Sequence, residues 1–203
     1  MPRPSFSPFA ALTLAALIAS APMARAEDKQ DAGAYLAARV AGGASDYQAA
    51  ADWFGRALLA DPANPALLES AVLAHVAMGD FPKAANLARL LLQTGSKSQV
   101  GQIAIMAEHA TADDYEAILR DGKAGASVGA LPDGLIAAWA ELGSGKMSDA
   151  LAGFDALTKV DGMKAFGLYH KALALASAGD FEGADEILSG RAAGPLQVMR
   201  RGV

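Results

Sequence analysis

The sequence predicts an all-α protein built as a solenoid of about five helix-turn-helix units. Three observations carry that prediction. A small-acidic-aromatic triplet returns at near-constant spacing. The chain is 53% hydrophobic but only 6% aromatic, so its apolar content is mostly Ala, Leu and Val, a composition that favours helix. Finally, an Ala/Leu-rich run of about a dozen residues precedes each triplet and another follows it.

The triplets are Ser45-Asp46-Tyr47, Gly79-Asp80-Phe81, Asp113-Asp114-Tyr115, Gly145-Lys146-Met147 and Gly179-Asp180-Phe181, at steps of 34, 34, 32 and 34 residues. Each has a local physical reading. The small first member can end a helix in a left-handed backbone, and the acidic second member can cap the next helix by accepting from its orphan amides. The third member is expected to pack between helices. Three residues beyond it stand Ala50, Ala84, Ile118, Ala150 and Ala184, and a small side chain there lets two backbones approach closely.

The first copy is the most complete, with Phe54 seven residues after Tyr47, then Ala57 and Pro62. In the second, Pro82 falls in the first turn of a helix, where its missing amide costs little. The third is the weakest, with Met106 and Ile118 where small residues are expected. It runs into "DGKAGASVGALPDG", Asp121 to Gly134, whose four glycines and one proline predict a shortened helix and a loop serving as a hinge, a binding loop or a plain repeat joint. The fourth copy restores Phe154, and the fifth closely echoes the second. One hairpin of this kind cannot bury its apolar face alone, so copies must stack.

A 34-residue period ending in A-x3-F and then P resembles the tetratricopeptide repeat over about Asp31 to Pro195. The resemblance implies a right-handed solenoid with repeats near 31–64, 65–98, 99–130, 131–164 and 165–198. The copies are divergent: the Trp typical of the fourth position is replaced by Ala34, Leu68, Gln102, Gly134 and Leu168. A sixth first helix is expected to begin near Gly194 and breaks off at Val203, which favours truncation at the C-terminus.

Ahead of the repeats, Arg3, the apolar run Phe9 to Ala21 and the small-x-small ending Ala24 to Ala26 predict a cleaved secretory leader over 1–26. Its thirteen apolar residues fall short of the ~20 that a spanning helix needs. The mature chain is therefore expected in the periplasm, without a membrane span. Zero cysteines suit that oxidising compartment. Cleavage removes Arg3 and Arg25 and no acid, taking the formal charge from −5 to −7, which argues against nucleic acid as a partner.

Little in the chain points to catalysis. His75 and His109 share position 11 of neighbouring repeats, but no third ligand joins them, so packed or rim histidines are expected rather than a metal site. His170 is expected on a different face. "GSGKMS", Gly143 to Ser148, has Met147 where a phosphate loop needs Ser or Thr, and reads as a turn. No nucleophile elbow or cofactor motif occurs, so no enzyme activity and no cofactor are expected.

Positions 2, 5, 9 and 12 of each first helix share one face, and the resemblance implies that this face lines a concave groove. Candidate partner-binding residues there are Tyr35, Arg39, Glu69, Leu73, Ile103, Trp139, Tyr169 and Leu173. The surface is mainly apolar, with Arg39 as its cation, which disfavours carboxylate clamping and favours an apolar or amphipathic segment; packing between repeats is the competing role for Tyr35, Trp139 and Tyr169. The function expected is a protein-protein interaction scaffold for an envelope or secretion component. Two alternatives remain: the N-terminal arm of a longer repeat protein whose groove is filled intramolecularly, or the accessory region of an enzyme whose catalytic domain lies beyond residue 203.

Overall fold

A computed structural model describes residues 31–190; the predicted leader and the anticipated sixth first helix lie outside the described residues. Those residues form ten helices and no strand: α1 (Ala32–Gly43), α2 (Tyr47–Ala60), α3 (Pro65–Ala77), α4 (Phe81–Gln93), α5 (Gln99–Thr111), α6 (Tyr115–Lys123), α7 (Ala130–Gly143), α8 (Met147–Leu157), α9 (Lys164–Ser177) and α10 (Phe181–Leu188). Each helix packs against its chain neighbour, with α3 also touching α5 and α7 touching α9, the contact pattern of a solenoid.

The five corners share one backbone solution. Ser45, Gly79, Asp113, Gly145 and Gly179 all take positive φ, between 54° and 89°. At every corner the next amide donates to the carbonyl five residues back (Asp46 to Ala41, Asp80 to His75, Asp114 to His109, Lys146 to Glu141, Asp180 to Leu175), while the left-handed residue's own amide donates three residues back. These bonds satisfy the last orphan carbonyls of the first helix. Asp46, Asp80, Asp114 and Asp180 then accept from the amides of Ala49, Lys83, Ala117 and Gly183, capping the second helix. Lys146 cannot cap; its Nζ reaches Glu116 at 2.8 Å and Glu141 at 3.4 Å, tying the fourth corner to the previous hairpin.

Behind the corners, Ala50, Ala84, Ile118, Ala150 and Ala184 are all buried, as are Phe54 and Phe154. The core is a succession of small clusters. One joins α1, α2 and α3 around Phe54; another joins α3, α4 and α5 around Val72 and Ala88. Phe154 centres the α7–α8–α9 cluster, and Leu168 and Ile187 that of α9 and α10. Between these lies a thin group, Ile118, Leu119 and Ala140, at the α6–α7 joint.

One expectation needs correction. The aromatic of the triplet does not always pack between helices. Tyr115 lies over Gly143 of the following first helix, so closely that a Cβ there would come within 2.7 Å of the ring, whereas Phe181 is 70% exposed. The surface that receives this side chain belongs to the next unit's first helix, and no described helix follows α10. The glycine-dense stretch has the shortened helix and the loop that its composition predicts. Only Ala124 to Gly129 leave the helices, because Asp133 on α7 reaches back to accept from the Val128 amide (2.8 Å) while Gln99 Nε2 donates to the Val128 carbonyl (3.1 Å). The second helix of this unit is short, nine residues.

Candidate functional site

Positions 2, 5, 9 and 12 of α7 are Pro132, Leu135, Trp139 and Leu142, and all four line a single apolar cavity of roughly 740 Å3. Phe166 and His170 of α9 close one side, Tyr115 and Ile118 of α6 the other. Ile118 occupies the place where the other four copies carry Ala. It lines both this cavity and a second one of roughly 420 Å3, formed with Met106, Leu119, Gly125 and Glu141 beside the loop.

An aromatic group stiffens the larger cavity. Trp139 meets Phe154 edge-on with ring centroids 5.6 Å apart, and its Nε1–H donates to His170 Nδ1 over 3.0 Å. The His170 ring stacks on Phe154 at 6.3 Å, and Tyr169 stands edge-on to His170 at 5.5 Å. His170 thus lies on a different face from His75 and His109, and what the sequence did not foresee is its partner: α9 lies beside α7 and brings position 6 of one next to position 9 of the other. Phe166, Pro132 and Leu142, by contrast, were available from the sequence, since they occupy positions 2 and 12 of the predicted face.

The remaining candidate residues do not form one site. Arg39 and Leu73 share a smaller cavity of roughly 250 Å3 with Tyr47, Phe54 and Ser70. Glu69 is engaged within the chain: it accepts from Ser98 Oγ at 2.7 Å, and that same oxygen accepts from the Gly101 amide to cap α5. Tyr35, Ile103 and Leu173 are exposed. His75 Nδ1 lies 3.4 Å from Asp80, and His109 Nε2 lies 3.2 Å from Asp121, so each histidine turns to a carboxylate of its own hairpin. Among the described residues no group of three or more ligating side chains could hold a metal.

Burial holds the His170 imidazole below its ordinary value near 6.5. The bond from Trp139 acts in the same direction, because it needs an unprotonated Nδ1. Once the chain unfolds, His170 takes up its proton near pH 6.5; folded, it does so only at lower pH. In that interval the unfolded chain binds the extra proton, so this contribution to stability is complete above about pH 6.5 and declines as pH falls. The urea midpoint should therefore drop on acidification from pH 7 to 5 more steeply in the wild type than in His170→Asn. In a Trp53→Phe background, Trp139 emission should shift over the same range. Equal slopes for the two proteins would show that His170 does not titrate with folding.

Comparison with known proteins agrees with this geometry at the level of fold. No family model and no curated protein matches the sequence. Among solved structures the chain is similar to YrrB, a TPR protein with an unusual peptide-binding site, with a TM-score of 0.57 at 16% identity, covering 75% of this chain and 79% of that one. With five left-handed corners, ten stacked helices among the described residues and this likeness, the chain has the tetratricopeptide-repeat fold, in divergent copies.

Proposed function

We propose that the chain is a periplasmic docking scaffold, probed by its partner through the first-helix face between α5 and α9, where an amphipathic segment of an envelope or secretion protein inserts an apolar anchor. The observation that carries this reading is the cavity on α7. It is apolar, open to solvent and within the size range of sites that enclose a side-chain-sized or larger apolar group, and it is walled by Trp139, Leu135 and Phe166 rather than by charges. Large aromatic walls around a preformed recess are what a helix-in-groove or extended-segment partner uses as an anchor point. The fold likeness to a protein described as having a peptide-binding site supports the same class of partner. The leader pattern of residues 1–26 and the lack of cysteine support export.

The test is selection of short segments from a displayed peptide library on the purified mature chain, followed by fluorescence titration. Selected segments should carry Leu or aromatic anchors at helical spacing. Phe166→Asp, at a partly exposed wall position, should weaken binding at least tenfold while leaving the circular dichroism unchanged. Binding that survives both Phe166→Asp and Leu135→Asp would place the site elsewhere.

A further inference from the structure

The wall of the α7 cavity carries a polar hydrogen that the chain leaves uncommitted. Trp139 and His170 both line the cavity. An indole N–H can only donate, so the 3.0 Å contact from Trp139 Nε1 to His170 Nδ1 requires a lone pair on Nδ1. A neutral imidazole with a bare Nδ1 carries its hydrogen on Nε2. Burial of the ring disfavours a second proton and keeps this neutral form at neutral pH. The indole therefore selects the tautomer, while Phe154 stacks on the imidazole and Tyr169 stands edge-on to it.

His170 Nε2–H makes no hydrogen bond to a described residue, and it is not one of the enclosed polar atoms that lack a partner. It is therefore open to solvent. The other polar side chains on the wall are spent: Trp139 Nε1–H on His170, and the Tyr115 hydroxyl on Asp113, to which it donates at 2.7 Å. Pro132, Leu135, Leu142 and Phe166 offer no polar side-chain atom.

This asymmetry sorts the groups that can fill the cavity. A hydrocarbon anchor that covers Nε2–H strips it of water and leaves a donor unpaired beside apolar walls. An anchor with an oxygen at that place restores the bond and keeps the apolar contact. A carboxylate would also accept, but it would enter a cavity whose described wall holds no Lys or Arg. The group that meets both conditions is an apolar side chain ending in a neutral acceptor.

We propose that the cavity selects tyrosine over phenylalanine or leucine, with the phenol oxygen accepting from His170 Nε2. This preference rests on the docking function proposed above and narrows its partner to a segment with a tyrosine at the anchor position. His170 is the specificity-determining residue, and Trp139 is a positioning residue that acts through the tautomer it imposes.

The probes are p-cresol and toluene, the side chains of tyrosine and phenylalanine, titrated by the NMR shifts of methyl groups on the cavity wall. Comparing their ratio of dissociation constants between the wild type and His170→Phe cancels the difference in hydrophobicity between the probes. The substitution should move that ratio about five- to tenfold against p-cresol. Leu135→Asp should weaken both probes. In the wild type with labelled histidine nitrogens, His170 should show a protonated Nε2 and a bare Nδ1 at neutral pH, and p-cresol should shift the Nε2 signal more than toluene does. This last measurement needs no variant to fold. With both probes bound in the cavity, a ratio unchanged by His170→Phe overturns the tyrosine preference alone, as does a hydrogen found on Nδ1. Failure of both probes to bind, or binding indifferent to Leu135→Asp, overturns it together with the docking site.

Discussion

Phe154→Ala should lower the stability of the chain by about 3–5 kcal/mol, the usual cost of removing a fully buried phenylalanine. Phe154 is 0% exposed and the largest of the fully buried side chains described. Its ring is also the common support of Trp139 and His170, so the deletion removes more than apolar area. The α7–α8–α9 cluster is built around it, and in a solenoid each unit is stabilised by its neighbours alone. The unfolding curve should therefore lose cooperativity as well as shift. Urea titration followed by Trp139 emission in a Trp53→Phe background should report an earlier transition than circular dichroism, which averages over all helices. Coincident curves from the two probes would mean that coupling between units is stronger than this packing implies.

Gly167→Ala should destabilise, although a glycine inside a helix ordinarily loses to alanine. An added Cβ at Gly167 would stand 2.8 Å from the Phe154 carbonyl oxygen, 3.1 Å from Leu157 Cβ and 3.1 Å from Thr158 Cγ2. The nearest atom is backbone, so α9 would have to move away from α8. That overpacking costs about 1–3 kcal/mol and outweighs the roughly 1 kcal/mol of helix propensity gained. Gly55, exposed in the middle of α2 with nothing within 4 Å of the same added atom, supplies the control. There Gly55→Ala should stabilise by about 0.5–1 kcal/mol. Thermal melts of the two variants should shift in opposite directions; shifts of the same sign would mean that the α8–α9 contact is looser than the geometry requires.

What the sequence made legible was whatever a few neighbouring residues decide among themselves. A left-handed residue followed by a capping aspartate is a local arrangement, so five triplets were enough to place five corners, and the alanines three residues further on were rightly assigned to close helix packing. Contacts between units were harder to read. The period says that His170 recurs on a first helix but not how far α9 is rotated against α7, and that rotation is what brings its Nδ1 to Trp139. Phe181 was assigned a packed role by analogy with its four counterparts, yet its environment depends on a helix outside its own hairpin. Glu69 was judged by its helix face, while Ser98, 29 residues later, determines what its carboxylate does. The α7 cavity was partly visible as an apolar face; that Ile118, on a different helix, also lines it was not.

The thin cluster of Ile118, Leu119 and Ala140 has a mechanical consequence. It is flanked by a cavity on each side and adjoins the α5–α6 hairpin, whose two helices touch less than those of the other hairpins described. Stiffness in a stack of helices comes from the density of side-chain contact at each joint, and here that density is lowest near the middle. Pulled from both ends, the solenoid would yield first around α6, leaving two firmer blocks, α1 to α5 and α7 to α10, joined by a compliant segment. The larger cavity lies across that segment, so tension along the chain would widen the recess before any helix unwound.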